Sequence, residues 1–228
     1  MRHPLLTAVV GAVVGLATLA SCGGDDGGRV GEERADQVRQ AALDAGLPDD
    51  VAEVLALAAR GATATFQVTY QGAEGATITV SQQPPNRRVD AVQAGRIVQS
   101  QVVRDGVGYK CEPAEEGQSG DALDCRRTRG AIPAQGAFTD EALATFTAEL
   151  AGALDTLDLS VETRTIADVP ATCLVSAPKA GTPIGGEGPG VDTICLSESG
   201  AQLLVDSAGE RVVAATYRTD VPDGTFDI

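Results

Sequence analysis

The chain has 228 residues, with 17 Lys and Arg against 32 Asp and Glu and a formal net charge of −15 at pH 7. That acidity excludes a nucleic-acid partner, because phosphate binding needs a basic surface. The single histidine, His3, and the absence of tryptophan narrow the available chemistry further.

Residues 1–21 read as a lipoprotein signal peptide. Arg2 marks the basic start, and the uncharged run from Leu5 to Leu19 is short for a membrane span but within the range of a secretory signal. Leu19-Ala20-Ser21-Cys22 then reads as a lipobox, which makes Cys22 the lipidated first residue of the mature protein. Two acyl chains on Cys22 suffice for stable attachment. The expected location is therefore the cell membrane, lipid-anchored and facing the extracytoplasmic space. Residues 22–31, which include Gly23-Gly24-Asp25-Asp26-Gly27-Gly28, have the composition of a flexible tether. Loss of Arg2 leaves 16 basic against 32 acidic side chains in residues 22–228, and loss of His3 leaves no histidine. Ser-His-Asp and Cys-His catalysis and His-ligated zinc are thereby excluded. No paired-carboxylate motif takes their place, so neither an enzyme, nor a cofactor, nor a metal is expected.

Residues 32–45 have Ala35, Val38, Ala42 and Leu43 at helical spacing, with Gly46 and Pro48 ending the helix. A second helix is expected over 49–60, with Asp49 and Asp50 at its start and Val51, Val54, Leu55 and Ala58 on its apolar face. The period then changes from 3.6 to 2. Ala64, Phe66, Val68 and Tyr70 share one face of a strand, and Thr63, Thr65, Gln67 and Thr69 the other. Further strands are expected at 77–81, 87–93, 96–104, 107–112 and 123–128. They are separated by Gly72 to Gly75, Pro84-Pro85-Asn86, Gln93-Ala94-Gly95 and Asp105-Gly106, as in an antiparallel meander. A third helix begins at Thr139 as N-cap and carries Leu143, Phe146, Leu150 and Leu154 as its stripe. Strands at 159–167, 169–176, 191–197, 201–206 and 211–218 follow. Residues 181–190 are too rich in Gly and Pro for regular structure and read as a surface loop.

With Cys22 assigned to the lipid, Cys111, Cys125, Cys173 and Cys195 remain. An even number in an oxidising compartment implies two disulfides. Three connectivities are open. The sequence-local one, Cys111–Cys125 with Cys173–Cys195, clips each pair across a hairpin. The fold class is α+β: a large curved antiparallel β-sheet, a half-barrel, with helices covering its concave face.

The lipobox at Cys22, the helix pair before the first strand, the stretch from Thr77 to Arg88 and the ending from Tyr217 to Pro222 followed by Phe226 resemble the LolA/LolB-like lipoprotein-carrier superfamily. They are closest in type to LprG/LppX-like bacterial lipoproteins. The resemblance covers residues 32–228 and implies a half-open barrel whose mouth is closed by helices over an apolar cavity. It implies a lipid or other apolar ligand, the membrane through the lipid anchor, and a carrying role; nucleic acid has no place in it.

Phe66, Val68, Ile78, Val80, Leu143, Phe146 and Leu150 are the candidate cavity residues, although a packed core would use the same residue types. Two basic clusters stand out in so acidic a chain. Arg126-Arg127-Thr128-Arg129 has the chemistry to grip a phosphate or carboxylate, and Arg87-Arg88 are placed by alternation on opposite faces. The same fold also admits an RseB-like regulator that holds an envelope protein, or a structural lipoprotein without ligand.

Overall fold

A computed structural model describes residues 26–72, 75–114, 123–128, 138–181, 192–207 and 210–228. The signal peptide, the lipobox with Cys22, Arg129 and most of the Gly- and Pro-rich segment lie outside them.

Two helices, α1 (Asp26–Asp44) and α2 (Asp49–Gly61), precede six strands: β1 (Phe66–Gln71), β2 (Thr77–Gln83), β3 (Asn86–Gln93), β4 (Arg96–Arg104), β5 (Val107–Pro113) and β6 (Leu123–Arg127). The helix α3 (Asp140–Gly152) leads into β7 (Leu157–Ile166), β8 (Val169–Pro178), β9 (Asp192–Ser197), β10 (Gln202–Ser207) and β11 (Glu210–Arg218). All eleven strands form one antiparallel sheet in the order β6-β5-β4-β3-β2-β1-β11-β10-β9-β8-β7. It is two meanders joined where β1 pairs with β11, and it is not closed, since β6 and β7 are its edges.

Local chemistry explains most boundaries. Ala94-Gly95 and Asp105-Gly106 have positive φ at both positions, the two-residue turn whose twist suits a hairpin. Pro84-Pro85, joined by a cis peptide bond, separate β2 from β3. Thr139 caps α3 as expected, its hydroxyl accepting from Ala142 N at 3.1 Å. One boundary differs: α1 begins at Asp26, so residues 26–31 of the expected tether are helical. Composition is blind to the contact involved. Gly31 lies so close to Thr63 that a Cβ on it would come within 2.4 Å of Oγ1.

The sheet curls. Four places separate β7 from β11, about 19 Å in a flat sheet, yet their Cα atoms come within 8 Å. Phe66, Val68, Tyr70, Val80 and Val89 from β1–β3 meet Ile166, Ala171, Cys173, Cys195, Leu204 and Ala214 from β7–β11 in one buried cluster. A second cluster holds the helices. In it Val51, Val54, Leu55 and Ala58 of α2 and Leu143 and Leu150 of α3 pack on Leu174 and Leu196, with Leu159, Val161 and Ile194 at the margin. Cys173 and Leu174 are neighbours in β8 yet belong to different clusters, as do Cys195 and Leu196 in β9. So β8 and β9 are buried on both faces, and the helices pack on the face opposite the one shared with β1–β3.

Candidate functional site

Six of the seven candidate cavity residues divide between the two clusters. Phe66, Val68 and Val80 are fully buried with the two halves of the sheet. Leu143, Phe146 and Leu150 face the sheet from α3. Ile78, opposite Tyr70 on β2, is 39% exposed. Sequence cannot make this division, because it depends on how the sheet curls rather than on alternation within a strand.

Between helices and sheet runs an apolar seam. Val54, Leu55 and Ala58 of α2 and Phe138 and Phe146 form one wall, and Leu174, Ile194 and Leu196 the other. The two rings of the first wall stack with centroids 6.0 Å apart. The remaining gap is about 10 Å³, room for no more than one water. Phe138, Leu174, Ile194 and Leu196 were not foreseen. The signal of the last three was visible only as alternation along β8 and β9, and Phe138 lies just before the Thr139 cap of α3. Polar ties across the helical layer are few: Arg34 of α1 donates to Phe138 O and pairs with Asp140.

Two close approaches fix the lower end of α2. Gly200 has φ +83°, and a Cβ on it would lie 2.1 Å from Leu57 O; a Cβ on Gly61 would lie 2.2 Å from Gly200 O. Gln82 on β2 donates from Nε2 to Gly61 O at 2.6 Å and Ala64 O at 2.9 Å. These contacts tie the C-terminal end of α2 to Gly200 and to β2, while the seam itself is lined by apolar side chains.

The sequence matches no known protein-family model and no curated protein.

Both disulfides have the sequence-local connectivity, Cys111–Cys125 and Cys173–Cys195. They suit an oxidising, extracytoplasmic compartment. Among the described residues no helix is long and apolar enough to cross a membrane. Cys173 and Cys195 lie in the interior, whereas Cys111–Cys125 lies on the opposite face, which segment 219–228 approaches. There a hollow of about 230 Å³ is lined by Arg88, Cys111, Leu123, Cys125, Asp227 and Ile228.

The basic residues separate as alternation foretold. Arg88 Nε donates to both oxygens of Asp90, at 2.8 and 2.9 Å, and Nη1 to Thr225 O at 2.9 Å. Arg87 turns to the other face, with Val89. Burial lowers its pKa to about 10, partly offset by Tyr70. Burial also raises the Tyr70 phenol well above its usual value, with Arg87 pulling the other way, and the Tyr70 hydroxyl donates to Gln202 O at 2.6 Å. Arg126 is exposed and paired with Asp124, and Arg127 is exposed.

Proposed function

We propose that this chain is a membrane-anchored, extracytoplasmic lipoprotein that binds or carries a lipid or other apolar ligand in a half-barrel. The carrying observation is the seam between α2–α3 and β8–β9, whose two walls present only apolar side chains. A lipid chain needs several hundred Å³, so binding parts the layers about the fixed Gly61–Gly200 end. Acyl groups then replace the contacts that Leu55, Phe146, Leu174 and Leu196 make with one another. Each Å² of apolar surface withdrawn from water contributes about 25 cal/mol. No bond is made or broken.

The half-barrel expected from the sequence enters this reading with one change. The surface enclosed by the curl is that of Phe66, Val68 and Val80, and the helices cover β7–β9 from the other side. The helix pair ahead of β1, the third helix between the meanders and the curl of the sheet support the resemblance to LolA/LolB-like carriers. Full burial of Phe66, Val68 and Val80 favours a second reading, an RseB-like regulator that binds an envelope protein and keeps a packed interior.

Native mass spectrometry after incubation with envelope lipids separates them. A lipid-mass adduct lost on denaturation, and lost in Ala58→Phe, which fills the seam, supports carriage. A bare protein mass that persists with every lipid refutes it and favours the regulator.

A further inference from the structure

Three described arginines have an enclosed Nε without a hydrogen-bond acceptor: Arg34, Arg60 and Arg87. Arg34 and Arg60 still have carboxylates beside them, Asp140 and Glu32, the latter at 3.5 Å. Among the described residues Arg87 has no such carboxylate, in a chain where acids outnumber bases 32 to 17. Its Nη2 is enclosed and unbonded as well.

Nε and Nη2 share one edge of the guanidinium and point the same way. That edge matches two oxygens of a carboxylate or phosphate in a bidentate pair. A second enclosed polar atom without a partner, Thr128 Oγ1, belongs to the same rung of the sheet. Along that rung Arg87 pairs with Val103 and Val103 with Gly108, whose carbonyl accepts from Thr128 N. Between the two on that face stand the Val103 side chain and Gly108, which has none. Enclosed donors without an acceptor are costly, and an anion on that edge removes the cost. Tyr70, the neighbouring titratable group, is neutral at physiological pH and does not do so.

We propose that the Nε–Nη2 edge of Arg87 is the receptor for one acid group, a carboxylate or phosphate. The acid has two sources, the headgroup of an anionic amphiphile or a free anion. Arg87 faces the Val89 side of the sheet, away from the seam between α2–α3 and β8–β9, so the site stands apart from the seam reading whichever source supplies the acid.

The test uses the full lipid-anchored chain in nanodiscs of neutral phosphatidylcholine, titrated with octanoate, octanol and inorganic phosphate. The wild type is expected to take octanoate about tenfold more tightly than octanol. Arg87→Met loses that preference, and Arg87→Lys keeps part of it. In wild-type protein with 15N-labelled arginine, the Arg87 Nε–H resonance shifts with octanoate and stays with octanol, a readout that needs no variant to fold. Phosphate binding that depends on Arg87, with neither octyl compound bound, supports the anion site and refutes the lipid reading. Equal binding of octanoate and octanol, indifferent to Arg87, overturns the anion site and leaves the lipid reading standing. A resonance unmoved by octanoate and phosphate means that water alone solvates the guanidinium, and also overturns the proposal.

Discussion

Arg87 and Arg88 are adjacent on β3 and have opposite surroundings: Arg88 is saturated by Asp90 and Thr225, while two donors of Arg87 are enclosed with no acceptor among the described residues. Substitution should therefore act with opposite signs. In anion-free buffer Arg87→Met is expected to raise stability by about 1–4 kcal/mol, because an apolar side chain replaces an unpaired buried charge. Arg88→Met leaves the largely buried Asp90 unpaired and is expected to cost about 2 kcal/mol. Urea denaturation of both variants checks the signs, and equal signs would contradict the contrast.

Tyr70 makes stability depend on alkaline pH. Its folded pKa is raised, so the unfolded chain releases the phenolic proton near pH 10 while the folded chain retains it. The unfolded state then binds fewer protons, and the Tyr70 contribution, fully present below pH 10, is lost as pH rises beyond it. Relative to Tyr70→Phe, the wild type is expected to lose stability between pH 8 and roughly pH 10.5. At pH 8 itself Tyr70→Phe costs about 1–2 kcal/mol, for the unpaired Gln202 carbonyl. Parallel denaturation series at the two pH values provide the measurement.

The Gly61–Gly200 contact tolerates no side chain. Gly200→Ala adds a left-handed alanine and a clash with Leu57 O, and is expected to destabilise by about 3 kcal/mol or more. Gly95→Ala has the strained φ but open space around it, and is expected to cost only about 1 kcal/mol. The difference in melting temperature isolates the clash from the backbone strain.

The two disulfides should fail differently. Opening a loop of this size costs about 3 kcal/mol in the chain-entropy model. Replacing Cys173 and Cys195 by alanine also opens the interior, where both are fully buried, and is expected to lower the global melting temperature. Replacing Cys111 and Cys125 releases β6, the short edge strand, and is expected to speed amide exchange there before it affects β1–β3. Hydrogen exchange by strand tells the two apart.

Much of this architecture is legible from local pattern. The alternation from Ala64 to Tyr70, the Thr139 cap and the Asp105-Gly106 turn each act within a few residues, and each element lies near where those signals put it. The start of α1 is hidden because a Gly-rich stretch has the composition of a tether, and its close approach to Thr63 at Gly31 joins residues far apart in sequence. The division of Phe66 from Phe146 is hidden for the same reason: both are apolar, and only the curl sends them to separate clusters. Arg87 is half legible. Alternation assigns its face, but nothing along the chain tells that, among the described residues, its face carries no acid to meet it.

The order of strands has a consequence for the birth of the molecule. A ribosome releases β1 early and β11 after every other strand, yet these two are hydrogen-bonded neighbours at the centre of the sheet. Each meander has only short-range pairings to complete, whereas their union waits on a loop of well over a hundred residues. Until residue 218 emerges, the free margins of β1 and β10 stand open to foreign strands. A nascent chain arrested before that point would be two unjoined halves, the form in which this protein is most exposed to aggregation and proteolysis.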